Sequence, residues 1–124
     1  MEFDKNEMPE TERRRFPRLD ASVAIEYSIL GKAPLKETAF TKNISAGGIC
    51  LIVYEKIEVN TILSLRINLG DNSDIIEIKG NVVWLSKFSM DPDKKERWDI
   101  GIEFIKINEE DRKRIFKYLF RLLR

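Results

Sequence analysis

Residues 61–84 read TILSLRINLGDNSDIIEIKGNVVW, two alternating stretches around a turn. Leu63, Leu65, Ile67 and Leu69 alternate with Ser64, Arg66 and Asn68. That period of two sends apolar side chains to one face of a strand and polar ones to the other. GDNSD at 70–74 is dense in turn formers and predicts a hairpin connection. Ile76, Ile78, Val82 and Trp84 then fall on one face of a long returning strand. Gly80 interrupts that face, which predicts a bulge or a sharp bend there.

The same period extends to both sides. Val23, Ile25, Tyr27 and Ile29 alternate with Ala24, Glu26 and Ser28, a half-buried strand. Gly31 to Pro34 predicts a turn, and Leu35 to Ile44 a weaker second strand. GICLIVY at 48–54 is apolar on both faces, as a strand covered on two sides would be. FSMDPDKKE at 88–96 is a polar loop, and Trp98, Ile100, Ile102 and Phe104 define a last strand. Then the period changes to that of a helix. Asn108 is a good N-cap, and Glu109, Glu110 and Asp111 complement the positive helix start. Ile115, Phe116, Leu119, Phe120 and Leu123 form one apolar stripe, read as core or lid packing or as a face that pairs two chains. Six short strands and one helix predict a small, mainly β antiparallel barrel plugged or flanked by that helix.

Composition limits the function. The chain has 124 residues, enough for one ordinary domain. There is no histidine, the commonest general base and metal ligand, and a single cysteine, Cys50. The usual zinc and iron–sulfur sites, an internal disulfide and a Ser/His/Asp triad are thereby excluded. No GxxxxGK[ST] loop is present. We find no catalytic constellation and expect a binding protein, not an enzyme. No apolar run approaches the ~18 residues of a membrane span, and the polar, acidic start MEFDKNEMPETE is no signal peptide. A cytoplasmic location is the expectation.

Charge is unevenly distributed. Residues 1–12 carry five acids and one base, a charge of −4, and are expected to form a mobile tail ahead of a domain over 13–124. Residues 106–124 carry seven bases and three acids, a charge of +4. A net charge of +1 argues against general nucleic-acid binding, which needs a broad basic surface. Single-stranded binding would also need exposed aromatics, and Trp84, Trp98 and Phe104 fall on core-facing positions of the pattern. A small anion held at one focused site remains.

Two short motifs suit such a site. RRRFPR at 13–18 places four guanidinium groups in six positions. Pro17 fixes its own φ and biases Phe16 toward an extended form, so Arg14 and Arg18 can reach one place while Phe16 anchors on the barrel. Arginine is a bidentate donor for phosphate and for the O6/N7 edge of guanine. A solvated basic patch is the plainer reading of this run alone. NISAGG at 43–48 supplies an amide at Asn43 and a hydroxyl at Ser45, and Gly47 and Gly48 allow positive φ and close approach. Alone, it is equally a β-turn.

Together, Arg14 to Arg18 as RxxxR and Asn43 to Gly48 as [D/N]xSxxG resemble the PilZ domain family. GNVVW at 80–84, IGIEF at 100–104 and the closing helix extend the similarity over 13–124. The resemblance implies a six-stranded antiparallel split β-barrel with a C-terminal α-helix that binds cyclic di-GMP, with no cofactor and no metal. It also implies that Arg14 and Arg18 grip phosphate and the guanine Hoogsteen edge, that Asn43 and Ser45 meet the other guanine edge, and that Gly48 gives clearance. Asn43 takes the amide option, which lacks a carboxylate's charge assistance and implies somewhat weaker binding. Arg13 stands where, in this family, arginine tends to accompany an intercalated ligand pair, so two cyclic di-GMP molecules are expected. Output then passes to an unidentified effector protein; the alternative is a ligand-independent scaffold for protein contacts.

Overall fold

Alternation becomes six strands in the computed structural model, which describes residues 18–32, 36–68, 75–88 and 96–122. They are β1 (Ala24–Ile29), β2 (Glu37–Ile44), β3 (Gly48–Val53), β4 (Ile62–Ile67), β5 (Ile76–Phe88) and β6 (Arg97–Ile105), followed by helix α1 (Glu109–Leu122). All neighbours pair antiparallel in the order β1-β2-β3-β6-β5-β4, and β1 pairs with β4 to close a barrel. Closure removes the exposed sheet edges that would otherwise invite pairing with other chains. The expected tail over 1–12, Arg13, Arg14, Leu69 and Leu123 lie outside the described residues.

The barrel interior takes one face of every strand. Ile25 and Tyr27 of β1, Leu51 and Val53 of β3, Leu63, Leu65 and Ile67 of β4, and Ile100 and Ile102 of β6 are buried there. Each fully buried aliphatic side chain contributes about 1.5–3 kcal/mol. Tyr27 carries a hydroxyl into this setting and donates it to Glu55 Oε2 at 2.9 Å. Burial and that neighbouring carboxylate hold the phenol protonated well above its ordinary range.

Helix α1 starts as the sequence predicts. The Asp111 N–H donates to Asn108 Oδ1 at 2.8 Å, an N-cap bond to one of the helix's orphan amides. Its apolar stripe divides. Ile115 and Leu119 are buried with the barrel core, whereas Phe116 and Phe120 are 42% and 62% exposed. The expectation of core or lid packing therefore holds for one edge of the stripe and fails for the two phenylalanines.

Gly80 is not a bulge. It pairs regularly with Leu63 of β4 and Phe104 of β6. A Cβ there would run into Ile102 Cγ2 and sit 3.1 Å from Leu65 Cδ1, so glycine is required by packing inside the barrel. The irregularity falls further on, between Val82 and Trp84, where β5 carries one extra residue, Val83, against β6. Gly80→Ala should overpack the core and lower stability by about 1–3 kcal/mol. Denaturant unfolding measures this, and an unchanged midpoint would show that the site has room.

Candidate functional site

A bulge changes which way a strand's side chains point, because one added residue inverts everything beyond it. Two bulges do this on facing flanks of β3 and β6. On β5, Val82 lies in the core opposite Ile102, the extra Val83 follows, and Trp84 emerges on the outer face opposite Gly101. Trp84 is 40% exposed. The core position expected for it from alternation is thus wrong; Trp98 and Phe104 are buried as expected. On β2 the register shifts between Thr41 and Asn43. Thr41 is buried, and Asn43 is set opposite Cys50 of β3. Cys50 in turn pairs with Gly101. Asn43, Cys50, Gly101 and Trp84 consequently form one lateral row across four strands.

Gly101 makes room at the centre of the row for its neighbour's ring. A Cβ at that position would collide with the Trp84 indole, so the ring lies directly on bare backbone. Gly48 has a different reason to be glycine. Its Cβ would strike the Ile102 carbonyl of β6, so the close approach of β3 to β6 excludes any side chain. The positive φ that Gly47 and Gly48 permit is not what is used, since among the described glycines it occurs at Gly31.

Ser45 organises the turn between β2 and β3. Its hydroxyl oxygen accepts the Gly47 and Gly48 N–H groups at 3.1 and 3.2 Å, and its proton is directed to the Gly48 carbonyl at 3.2 Å. The Ser45 N–H also donates to the Gly48 carbonyl at 2.9 Å, and the Gly47 carbonyl accepts from Phe104 N–H at 3.0 Å. A hydroxyl has one proton to give. Ser45 therefore shapes the backbone beside the row, and it would have to release Gly48 before donating to a bound molecule.

The segment that follows Arg18 is tied to this turn by backbone pairing. Leu19 and Ile44 exchange two bonds, Leu19 N–H to Ile44 O at 2.9 Å and Ile44 N–H to Leu19 O at 3.0 Å. Further along, Thr41 Oγ1 accepts the Val23 N–H at 2.9 Å and donates to the Ala21 carbonyl, while the Thr41 N–H donates to Val23 O at 3.0 Å. The segment after Arg18 thus runs beside β2, and Arg18 is delivered to the end of β2 where Asn43 and Ser45 stand. Of the six residues singled out from the sequence, Arg18, Asn43, Ser45 and Gly48 line one open cleft of about 350 Å³. Arg13 and Arg14 lie outside the described residues.

The same cleft is lined by residues that the motifs did not reveal. Trp84 and Gly101 form part of its surface, as do Cys50, Glu103 opposite Gly48, and Arg112 from the first turn of α1. Two consecutive valines at 82–83 were the available sign that β5 changes phase. Nothing in the helical pattern distinguished Arg112, which also pairs with Glu109 at 3.3 Å. Just below the row, Asp99 is buried and held by Lys42 and Arg97, each at 3.2 Å. Burial first, and then Asp99, push the Cys50 thiol up, against the opposing pull of Lys42, Arg18 and Arg97. Cys50 is therefore a protonated, unreactive lining group at neutral pH. Among the described residues no cluster of His, Cys, Asp and Glu could hold a metal ion, and no helix is long and apolar enough to cross a membrane.

A comparison with protein families matches the PilZ domain over residues 12–121. No curated protein sequence matches the chain. Among solved structures, the Bacillus subtilis inhibitor of motility MotI/DgrA is 24% identical, with a TM-score of 0.65 over 90% of this chain and 51% of its own. The PilZ domain of Escherichia coli YcgR, solved with c-di-GMP, is 13% identical with a TM-score of 0.69, covering 89% of this chain and 91% of that one. The MrkH–c-di-GMP complex of K. pneumonia is 20% identical with a TM-score of 0.68, covering 90% and 52%. The chain spans about half the length of MotI/DgrA and MrkH. These likenesses establish the barrel, and the family match over nearly the whole length identifies the chain as a member of the PilZ domain family.

Proposed function

We propose that this chain is a cyclic di-GMP receptor that seats its ligand in the cleft beside the β2–β3 turn. The observation that carries the reading is the Leu19–Ile44 bridge, which brings Arg18 into one cleft with Asn43 and the Ser45 turn. Two structural neighbours, YcgR and MrkH, are described as complexes with c-di-GMP, which agrees with it.

Each lining group has a role that follows from its chemistry. Arg18, with Arg14 and Arg13 from the preceding segment, supplies planar donors for phosphate and for the guanine O6/N7 edge. Asn43 offers an amide to the other edge. Glu103 adds a carboxylate able to accept guanine N–H groups, the charge assistance that Asn43 lacks. Trp84, backed by Gly101, gives a flat apolar surface beside a purine, and base–aromatic stacking is worth about 1–3 kcal/mol per base. The cleft is at the small end of ligand sites, which run from about 300 to 1,000 Å³. Part of a cyclic dinucleotide therefore stands clear of it, where the arginine segment and a second, intercalated ligand molecule would cover it. Ligand phosphates neutralise the crowded guanidinium groups and draw the segment onto the barrel. The reshaped surface is then what an effector protein reads.

Titration calorimetry should give binding around micromolar or tighter, with two cyclic di-GMP molecules per chain. GMP, linear dinucleotide and single-stranded oligonucleotide should bind far more weakly. One ligand per chain would refute the pair, and no binding would refute the receptor in favour of a ligand-independent scaffold. Replacing Arg14 and Arg18 together by alanine should cost about 3–6 kcal/mol and abolish practical binding; parental affinity in that variant would move the site elsewhere. In the parent chain, amide hydrogen exchange at residues 10–20 should slow when ligand is added. Exchange indifferent to ligand would contradict the ordering of this segment.

A further inference from the structure

The outward face of α1 is left without a role by the cleft and the barrel core. Phe116 and Phe120, four residues apart, are exposed on it, and Lys113, Lys117 and Arg121 stand beside them at the same helical spacing, also exposed. Among the described residues, neither Lys113 nor Lys117 has an acidic partner within salt-bridge distance, while Arg112 and Arg114 on the barrel side pair with Glu109 and Asp111. A basic ridge flanking two exposed rings calls for an occupant that is both acidic and apolar.

We propose that this face docks the chain's own N-terminal segment, residues 1–12. That segment carries a charge of −4 through Glu2, Asp4, Glu7, Glu10 and Glu12 against Lys5, and holds Phe3 and Met8 among the acids. Phe3 and Met8 match the exposed rings, methionine sulfur making favourable contacts with aromatic edges. Reach is sufficient. Arg18 lines the same cleft as Arg112 of α1, so the chain leaves the barrel next to the helix. Residue 12 lies six residues before Arg18, within about 20 Å, and the helix from 113 to 121 is only about 12 Å long. A second copy is the poorer occupant, because pairing two such helices would press like charges together. Tethering supplies an effective concentration near millimolar without any partner.

Paramagnetic broadening tests this on the full chain without cyclic di-GMP, so the result stands apart from the ligand reading. A nitroxide at Asn6→Cys, in a Cys50→Ala background, should erase most of the amide signal of residues 113–121. Signal should return at about 1 M salt, where the Debye length is about 3 Å, and in the Lys113→Glu, Lys117→Glu variant. Broadening elsewhere or nowhere overturns the proposal. So does equal broadening of isotopic chains that carry no nitroxide when they are mixed with labelled ones, which makes a second copy the occupant. An independent measurement needs no cysteine change: with Glu7, Glu10 and Glu12 each replaced by glutamine, hydrogen exchange of residues 113–121 should become several-fold faster, and equal exchange overturns the docking.

Discussion

Asn43, Cys50, Gly101 and Trp84 share a row across β2, β3, β6 and β5, and two bulges put the outer members of that row on the solvent side. A barrel strand alternates strictly, so without the extra residue at Val83 the indole would enter the core. The same register shift at β2 sets Asn43 outward while Thr41 stays buried and bonded. The middle of the row is Gly101, whose lack of a side chain lets the indole rest on backbone. A polar amide and a flat ring thus face one cleft, each because of a local departure from regular pairing, and the glycine between them gives the ring its seat. Bulges are common next to functional sites for this reason.

The second determinant is the way Arg18 reaches this row. Two backbone bonds between Leu19 and Ile44 and the buried Thr41 hydroxyl hold residues 19–23 along β2. Arg18 is therefore positioned by the barrel, whatever the residues before it do. The cations Lys42 and Arg97 are spent on the buried Asp99 below the row. Arg18 and Arg112 of α1, the latter paired with Glu109, are the arginines that line the cleft among the described residues.

Much of this was legible in the residues. Alternation over 23–29 and 63–69 gave strands within a residue or two, because one face of each is buried and the other wet. Asn108 and the acids after it marked the helix start for a simple electrostatic reason. Of RxxxR, Arg18 is described and lines one cleft with NISAGG; the bridge that joins them was invisible, since backbone pairing between distant segments leaves no sequence pattern. What stayed hidden was phase. Alternation cannot show a bulge, so Trp84 was read as core and Gly80 as the irregular position. Helical spacing cannot show how wide a face a barrel covers, so Phe116 and Phe120 were grouped with Ile115 and Leu119. Glycine's causes were hidden too, because Gly48 and Gly80 answer to Ile102 of another strand.

The central claim is that the two motifs and the row between the bulges form a single cyclic di-GMP seat. Resonance mapping during a cyclic di-GMP titration tests it most directly. The account predicts that the amides of residues 43–50 and 101, the Arg18 side chain and the Trp84 indole N–H shift together along one saturating curve. Saturable shifts that leave this row untouched and gather on another face of the barrel would contradict it.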